Sequence, residues 1–369
     1  MPQSKKITYT QSGVDYQSLD FLKRLAQKKS KDTAGNLPKK IREISKSRGE
    51  SAYVVDIGDQ YLAIVEEGLG TKNLIADEMY KMTGKTYYKN IAQDTVASII
   101  NDLITVGAKP VSVMAYWSTG NSDWFKDKKR MTDLVTGWDK ACDLSGASWG
   151  GGETPTLQGI VENGKIELAG CAFGIINPKK RLCLGDNLKV GDRIILFESS
   201  GIHANGLTLA RKIAKRLPEG YETKIRNKKM YGEAILEPTI IYAKLVQDIF
   251  ESGVDIHYMS DITGHGWRKI MRHNNKFTYK ISKLPPVPDV LNFIVKQSGL
   301  NEKEAYATFN MGAGFAVFVS QKDVASTLKM ARKNKIKAYD VGVVEKGKKQ
   351  VIIEPKNIVY EGNSLVVRG

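Results

Sequence analysis

The chain is short of cysteine, of long apolar runs and of repetitive sequence. Its three cysteines are Cys142, Cys171 and Cys183. They form no close metal-ligand pair, and so sparse and odd a set predicts reduced thiols in a cytoplasm. No uninterrupted apolar stretch approaches the roughly 18 residues of a membrane span, so no membrane partner is expected. The opening, Met1 to Gln11, lacks the apolar centre of a signal peptide. Acid is in deficit as well: 56 Lys and Arg stand against 40 Asp and Glu, a net charge of +16. The excess is spread along the chain. Its densest clusters, Lys126 to Arg130 and Lys346 to Lys349, are short and carry no interleaved aromatics, which argues against a nucleic-acid partner. A basic field would also draw anionic, phosphate-bearing small molecules. At 369 residues the chain predicts two or three domains.

What is present centres on residues 61–107. Tyr61 to Val65 reads as a strand. Glu66-Glu67-Gly68-Leu69-Gly70-Thr71-Lys72 follows, then a helical pattern through Leu74, Ile75, Met79 and Met82 that Gly84 can end. Glycines at a strand-to-helix junction let the backbone approach an anion. The helix N-terminus supplies free N–H groups and partial positive charge, and Lys72 adds a full one. The spacing is shorter than a P-loop, so a plain turn remains the alternative. Val96, Ile99, Ile100, Leu103 and Ile104 then give one apolar helix face. Asp94, Ser98 and Asn101 lie opposite, with Asp102 to one side. That stripe is either a solvated face or a set of hard ligands for Mg²⁺ and a nucleotide.

Beyond it, Val111 to Tyr116 reads as a strand. A helix follows whose apolar face includes Trp138 and Cys142 as core. In Gly150-Gly151-Gly152-Glu153-Thr154 the glycines permit close backbone approach, and Glu153 either orients a substrate or is solvated on a turn. Asn163-Gly164 predicts a type I′ hairpin between Val161 and Ile166. Asn177-Pro178-Lys179-Lys180 is the expected linker, dividing the chain into residues 1–178 and 179–369. The second half restarts with a strand at Arg193 to Phe197, Ser199-Ser200-Gly201-Ile202-His203-Ala204-Asn205-Gly206, and a helix from Leu207. His203, ordinarily titrating near pH 6.5, either meets a phosphate, moves a proton, or is a hydrogen-bonded cap. Pro238 suits the first turn of a helix. His265, in Asp261-Ile262-Thr263-Gly264-His265-Gly266, either adds an imidazole to a pocket or caps a turn. Residues 1–50 are polar and lysine-rich with weak periodicity, and a basic helix-like stretch follows Pro38.

Taken in order, these motifs resemble the aminoimidazole ribonucleotide synthetase (phosphoribosylformylglycinamidine cyclo-ligase) family. They are Gly68-x-Gly70-Thr71-Lys72, Asp94-Thr95-Val96-Ala97, Asn101-Asp102-Leu103-Ile104, Gly107-Ala108-x-Pro110, Gly151 to Thr154, Ser199 to Gly206 and Asn310 to Gly314. The likeness runs from Tyr9 and Ser12-Gly13-Val14-Asp15 to about Val344. It implies an α/β (α+β) fold of two domains, an N-terminal ATP-binding and dimerisation domain and a C-terminal α/β domain. It also implies a homodimer in which the first sheets pair across the two-fold axis. ATP and Mg²⁺ would serve a phosphoribosyl substrate, with formylglycinamidine ribonucleotide closing to aminoimidazole ribonucleotide in purine biosynthesis. On the matching positions, Glu67 and Asp94 would hold the metal. Gly68, Gly70, Thr71, Lys72, Asn101 and Asp102 would bind the nucleotide. Gly152, Glu153, Thr154, Ser200, His203 and Asn205 would face substrate, and Lys72, Asp94 and His203 would be catalytic.

This chain departs from the family at three places. The N-terminal glycine-rich loop is absent, Glu67 replaces an Asp, and His265 replaces a Gly. The alternatives are another ATP-using enzyme of the superfamily or a non-catalytic nucleotide-binding homologue. The reactive cysteine of selenophosphate synthetases and hydrogenase-maturation relatives has no counterpart near Val366-Val367-Arg368-Gly369 or ahead of Cys142.

Overall fold

A computed structural model describes residues 16–226 and 228–366. The motif at Tyr9 and Ser12 to Asp15, and residues 367–369, lie outside the described residues. Helix α1 (Tyr16–Lys31) leads. The first half then runs β1 (Arg42–Glu43), β2 (Tyr53–Asp56), β3 (Tyr61–Gly68), α2 (Lys72–Thr83), α3 (Tyr88–Ile104), β4 (Lys109–Thr119), α4 (Lys128–Ser145), β5 (Ser148–Glu153) and β6 (Ile166–Ile176). The second half begins with β7 (Arg193–Glu198), α5 (Leu207–Ala214), α6 (Tyr231–Ile235), α7 (Ala243–Glu251), β8 (Ile256–Asp261) and β9 (Phe277–Ile281). It ends with α8 (Asp289–Ser298), α9 (Glu302–Thr308), β10 (Ala313–Val319), α10 (Val324–Lys333), β11 (Ala338–Lys346), β12 (Gln350–Ile353) and β13 (Ile358–Glu361).

Each half is built on one sheet. The first has the order β1-β2-β3-β6-β4-β5 and the second β13-β12-β9-β11-β7-β10-β8. Pairing is antiparallel except for β4 with β5 and β9 with β12. The expected division near residue 178 falls between β6 and β7, where the sheets part.

Apolar spacing explains how α3 seats on the first sheet. Val96, Ile99, Ile100, Leu103 and Ile104 are all fully buried, each contributing roughly 1.5–3 kcal/mol. Glycines in β6 let the helix come close: a Cβ on Gly170 would lie 3.0 Å from Ile99 Cδ1. α4 packs beside α3, with Trp138 and Cys142 in the core as expected. Asp127 caps α4 by accepting from the Arg130 N–H at 3.1 Å, and Gly146 ends it with φ of 65°.

Three local expectations are corrected. Gly164 does turn, with φ of 74°, but the described strand begins only at Ile166 and no strand precedes the turn, so no hairpin forms. Residues 237–242 form an irregular segment rather than a helix, and α7 starts at Ala243; carbonyls and amides freed there are taken by the first half of the chain. The N-terminal helix occupies Tyr16–Lys31, whereas the segment after Pro38 holds the short strand β1.

Candidate active site

The polar stripe of α3 divides: Asp94 and Asn101 form a seam between the two halves, whereas Ser98 and Asp102 line a cavity. Asn90 Nδ2 donates to Leu236 O at 2.8 Å, Gln93 Nε2 to Thr239 O at 2.9 Å, and Asn101 Nδ2 to Ile240 O at 2.9 Å. Asn101 Oδ1 accepts from the Tyr242 N–H at 3.0 Å. Asp94 Oδ1 accepts from Thr239 N at 2.8 Å, from Thr239 Oγ1 at 2.6 Å and from Lys72 Nζ at 2.8 Å. Lys72 Nζ also donates to Glu237 O at 2.8 Å. The side chains of Lys72 and Asp94 are both fully buried. Helical spacing places these groups on one face, and the irregular segment 236–242 lies along it.

This arrangement bears on the expected roles of five residues. Asp94 spends Oδ1 on Lys72 and Thr239, while Oδ2, 2.8 Å from Lys72 Nζ, is buried with no hydrogen-bond partner among the described residues. Lys72 points into that pair rather than at a phosphate. Asn101 spends its amide on the backbone of residues 240 and 242. Thr71 and Gly70, whose φ is 77°, shape the turn into α2 and do not line the cavity described next.

A cavity of about 440 Å³ opens beside the seam. The first half contributes Glu67, Gly68, Ser98 and Asp102, together with Gly49, Glu50 and Ser51 ahead of β2. The second half contributes Asn205, Thr263, Gly264, His265, Lys269 and Arg272. Of the expected site residues, Glu67, Gly68, Asp102 and Asn205 therefore meet here.

The electrostatics are those of crowded charge. Burial, then the nearby Asp102 carboxylate, pushes Glu67 up to about 7. Asp261, at the end of β8, is raised well above the usual range by burial and then by Asp102. Lys269 is lowered by burial, against the pull of Asp102, Asp261 and Glu67. Arg272 closes one wall: its guanidinium donates to Gly49 O and Ser51 Oγ, each at 3.0 Å, and lies 3.5 Å from Glu50 Oε2. Asp102 Oδ1 is buried with no hydrogen-bond partner among the described residues.

No group of three or more His, Cys, Asp or Glu among the described residues could hold a metal alone. Of the expected Glu67–Asp94 pair, Glu67 lines the cavity, and Asp102 stands beside it there. Two carboxylates, one carrying a buried oxygen without a partner, fit Mg²⁺, which is commonly bound by one or two carboxylates plus substrate phosphates.

The expected substrate residues divide. Asn205 lines the cavity. His203 does not: it sits at φ of 60°, and its Nε2 accepts from the Ser200 N–H at 3.2 Å. Burial, helped by Lys72, lowers its pKa to about 3, so the ring is neutral near neutral pH. Ser200 Oγ donates to Pro238 O at 2.6 Å and so serves the seam. Gly152, Glu153 and Thr154 lie exposed at the open edge of the first sheet, with Glu153 Oε1 accepting from Thr154 N at 3.0 Å. Gly152 is required there, since a Cβ would stand 2.2 Å from Ala115 O.

Sequence reasoning missed Lys269, Arg272 and Glu50. The i, i+3 spacing of Lys269 and Arg272 just after the Asp261 to Gly266 turn was a usable signal.

Residues 49–176 match the family model "AIR synthase related protein, N-terminal domain" and residues 189–354 the corresponding C-terminal domain model. Curated relatives include the phosphoribosylformylglycinamidine cyclo-ligase of Pyrococcus furiosus, 32% identical over 96% of this chain and 99% of that protein. The Thermococcus kodakarensis protein of the same name is 32% identical over 92% of this chain and 95% of its own. Solved structures of similar fold include AaThiL complexed with AMPPCP and TMP, with a TM-score of 0.56, 16% identity, and 85% and 90% of the two chains covered. T. maritima PurL complexed with ADP has a TM-score of 0.54 and 17% identity, covering 87% of this chain and 46% of that one.

Proposed function

The chain belongs to the AIR synthase related family, as a homologue of phosphoribosylformylglycinamidine cyclo-ligases, and from that premise we propose that it closes the imidazole ring of aminoimidazole ribonucleotide. The reaction takes formylglycinamidine ribonucleotide and ATP to aminoimidazole ribonucleotide, ADP and phosphate. An amide oxygen leaves poorly, so ATP phosphorylates it first. The amidine nitrogen of the same molecule then attacks the activated carbon, and phosphate departs with the former amide oxygen. Such chemistry asks the protein chiefly to align reactants and to balance charge on the transferring phosphoryl group.

The observation carrying this reading is the charged cavity between the halves. Gly68 leaves its wall free of a side chain. Lys269 and Arg272 supply cationic walls suited to phosphates. Asn205 offers an amide for orienting substrate. Glu67 and Asp102 would hold Mg²⁺, which would shield the phosphate oxygens from one another. Glu67, held near 7, exchanges its proton easily around neutral pH. The complexes of the two structural neighbours with AMPPCP and with ADP support a nucleotide at this fold.

We further infer a homodimer through the first sheet. Its face opposite α3 leaves Ile64, Tyr116 and Phe173 exposed, flanked by Leu62, Met114 and Ile175, and a contiguous apolar face of this kind marks an interaction surface. The deciding experiment for the activity follows aminoimidazole ribonucleotide colorimetrically beside ADP release. Matched formation of both is expected. ADP without the aminoimidazole product would assign the chain to another ATP-using reaction.

A further inference from the structure

Two cations of the second half share the cavity with its acids. Lys269 lies in the short 3₁₀ turn Gly266–Met271, and Arg272 follows it, its N–H donating to Lys269 O at 3.0 Å. A spacing of three residues on such a turn puts both side chains on one side. Arg272 acts electrostatically on both Lys269 and Asp261. Like charges side by side repel, and a free guanidinium turns to carboxylates. The acids lining the cavity are Glu50, Glu67 and Asp102.

Arg272 is held on the Glu50 side. Its fork grips three consecutive residues of the first half: Nη2 donates to Gly49 O, Nη1 donates to Ser51 Oγ, and Nε stands 3.5 Å from Glu50 Oε2. The Glu50 side chain is only 4% exposed. Buried Tyr258, on β8, donates its hydroxyl to the same Oε2 at 3.0 Å. A carboxylate of the first half thus lies between a hydroxyl and a guanidinium of the second. The gripped segment is itself tied down, since the Glu50 N–H donates to Ser47 O at 3.0 Å and Ser47 Oγ accepts from the Val54 N–H at 2.9 Å. Some of the guanidinium's donors stay unspent: Nε is buried with no hydrogen-bond partner among the described residues.

We propose that Glu50, backed by Tyr258, is the positioning residue for Arg272: it keeps the guanidinium on the cavity wall as a donor for phosphate oxygens, and out of the Glu67–Asp102 pair that would hold Mg²⁺. This deepens the nucleotide reading above and rests on it. A guanidinium fork matches a carboxylate with two parallel hydrogen bonds, so an Arg272 released into that pair would take the place of a divalent cation. Glu50 competes for the same fork from the opposite wall. Contacts to consecutive residues fix one orientation of the guanidinium, and donors fixed in advance need no reorganisation as charge develops on a transferring phosphoryl group.

The test uses the full chain with E50Q, R272Q and the double variant. Glutamine keeps the size of Glu50 and an acceptor for Tyr258, so the fold is retained, which circular dichroism checks. In the ligand-free protein, the Arg272 Nε–H resonance is assigned by its loss in R272Q. E50Q should shift and broaden it, and an unmoved resonance overturns the grip. Mn²⁺ is then titrated alone, by electron paramagnetic resonance. E50Q should bind it several-fold more weakly, because the released guanidinium competes for Glu67 and Asp102. R272Q should bind it at least as tightly as the native chain, and E50Q/R272Q should recover native affinity, since the competing cation is gone. A role of Glu50 in stability alone leaves the double variant as weak as E50Q; that result, or native Mn²⁺ affinity in E50Q, overturns the proposal. For a non-hydrolysable ATP analogue at saturating Mg²⁺, E50Q and R272Q should each lose roughly tenfold in affinity, the size of one charge-assisted contact. The double variant should lose no more than R272Q, and additive losses overturn the path through Arg272. A native chain that binds neither Mn²⁺ nor the analogue overturns the reading of the cavity, while the resonance still decides whether Glu50 holds Arg272.

Discussion

Replacing Asp94 by Ala will destabilise the protein rather than simply weaken metal binding. The carboxylate accepts from Lys72 Nζ and from both donors of Thr239, with no exposure to water. Burial pushes the Asp94 pKa up and the Lys72 pKa down, so each ion resists its setting and depends on the other. Removing one member of a buried pair leaves an uncompensated charge and costs about 3–5 kcal/mol. At roughly 2 °C per kcal/mol for a protein of this size class, the melting temperature should fall by about 6–10 °C. Calorimetry on the metal-free protein reads this directly.

The double variant D94A/K72M sharpens the case. With both charges gone, the desolvation penalty disappears, and a buried pair replaced by apolar groups is often close to neutral. The Thr239 N–H and hydroxyl still lose their acceptor, at about 1–3 kcal/mol. The double variant should therefore melt above D94A. If D94A melts with the native protein while its Mg²⁺ requirement for activity rises, the seam account fails and Asp94 is a metal ligand after all.

Glu67 and His203 give opposite pH signatures. Folding raises the Glu67 pKa from 4.5 to about 7, so the folded state holds a proton the unfolded state has lost, and stability falls as pH rises from 4.5 to 7. E67Q should flatten that slope in pH-dependent calorimetry, and Mg²⁺ should raise the native melting temperature at pH 8 but raise that of E67Q less. For His203 the folded pKa drops from 6.5 to about 3, so stability is lost as pH falls below 6.5; the pH–rate profile between 6 and 9 should show no ionisation that H203Q abolishes. F173E, on the exposed sheet face, should halve the mass measured by light scattering while leaving the monomer folded by circular dichroism.

How much of this was legible beforehand turns on what each pattern encodes. The apolar face of α3 announced itself because burial imposes a 3.6-residue period whatever the neighbour is. The opposite stripe did not, since Asp94 and Asn101 look alike in sequence whether they face water, a cation or another backbone. What settles the matter is the partner, and the partner lies more than a hundred residues away: Leu236 to Tyr242, a segment whose Pro238 suggested a helix. A segment outside helix and sheet has backbone groups to satisfy, and the amide and carboxylate groups of α3 satisfy them. The same blindness hid the site's own charges. Glu67 and Asp102 could be picked out because motifs surround them, whereas Lys269 and Arg272 acquire meaning only when β8 ends against the first sheet's carboxylates. Residues matched to a family motif therefore need not be residues that touch ligand. Lys72, Asp94, Asn101 and Ser200 stand in the motifs because the seam aligns the two walls of the cavity, and a site formed between two halves is only as accurate as the joint that sets them. Loosening that joint by two hydrogen bonds, as in N101A, should accordingly lower kcat with the cavity residues all in place. An N101A enzyme with native kcat and a lowered melting temperature would confine the seam to stability alone.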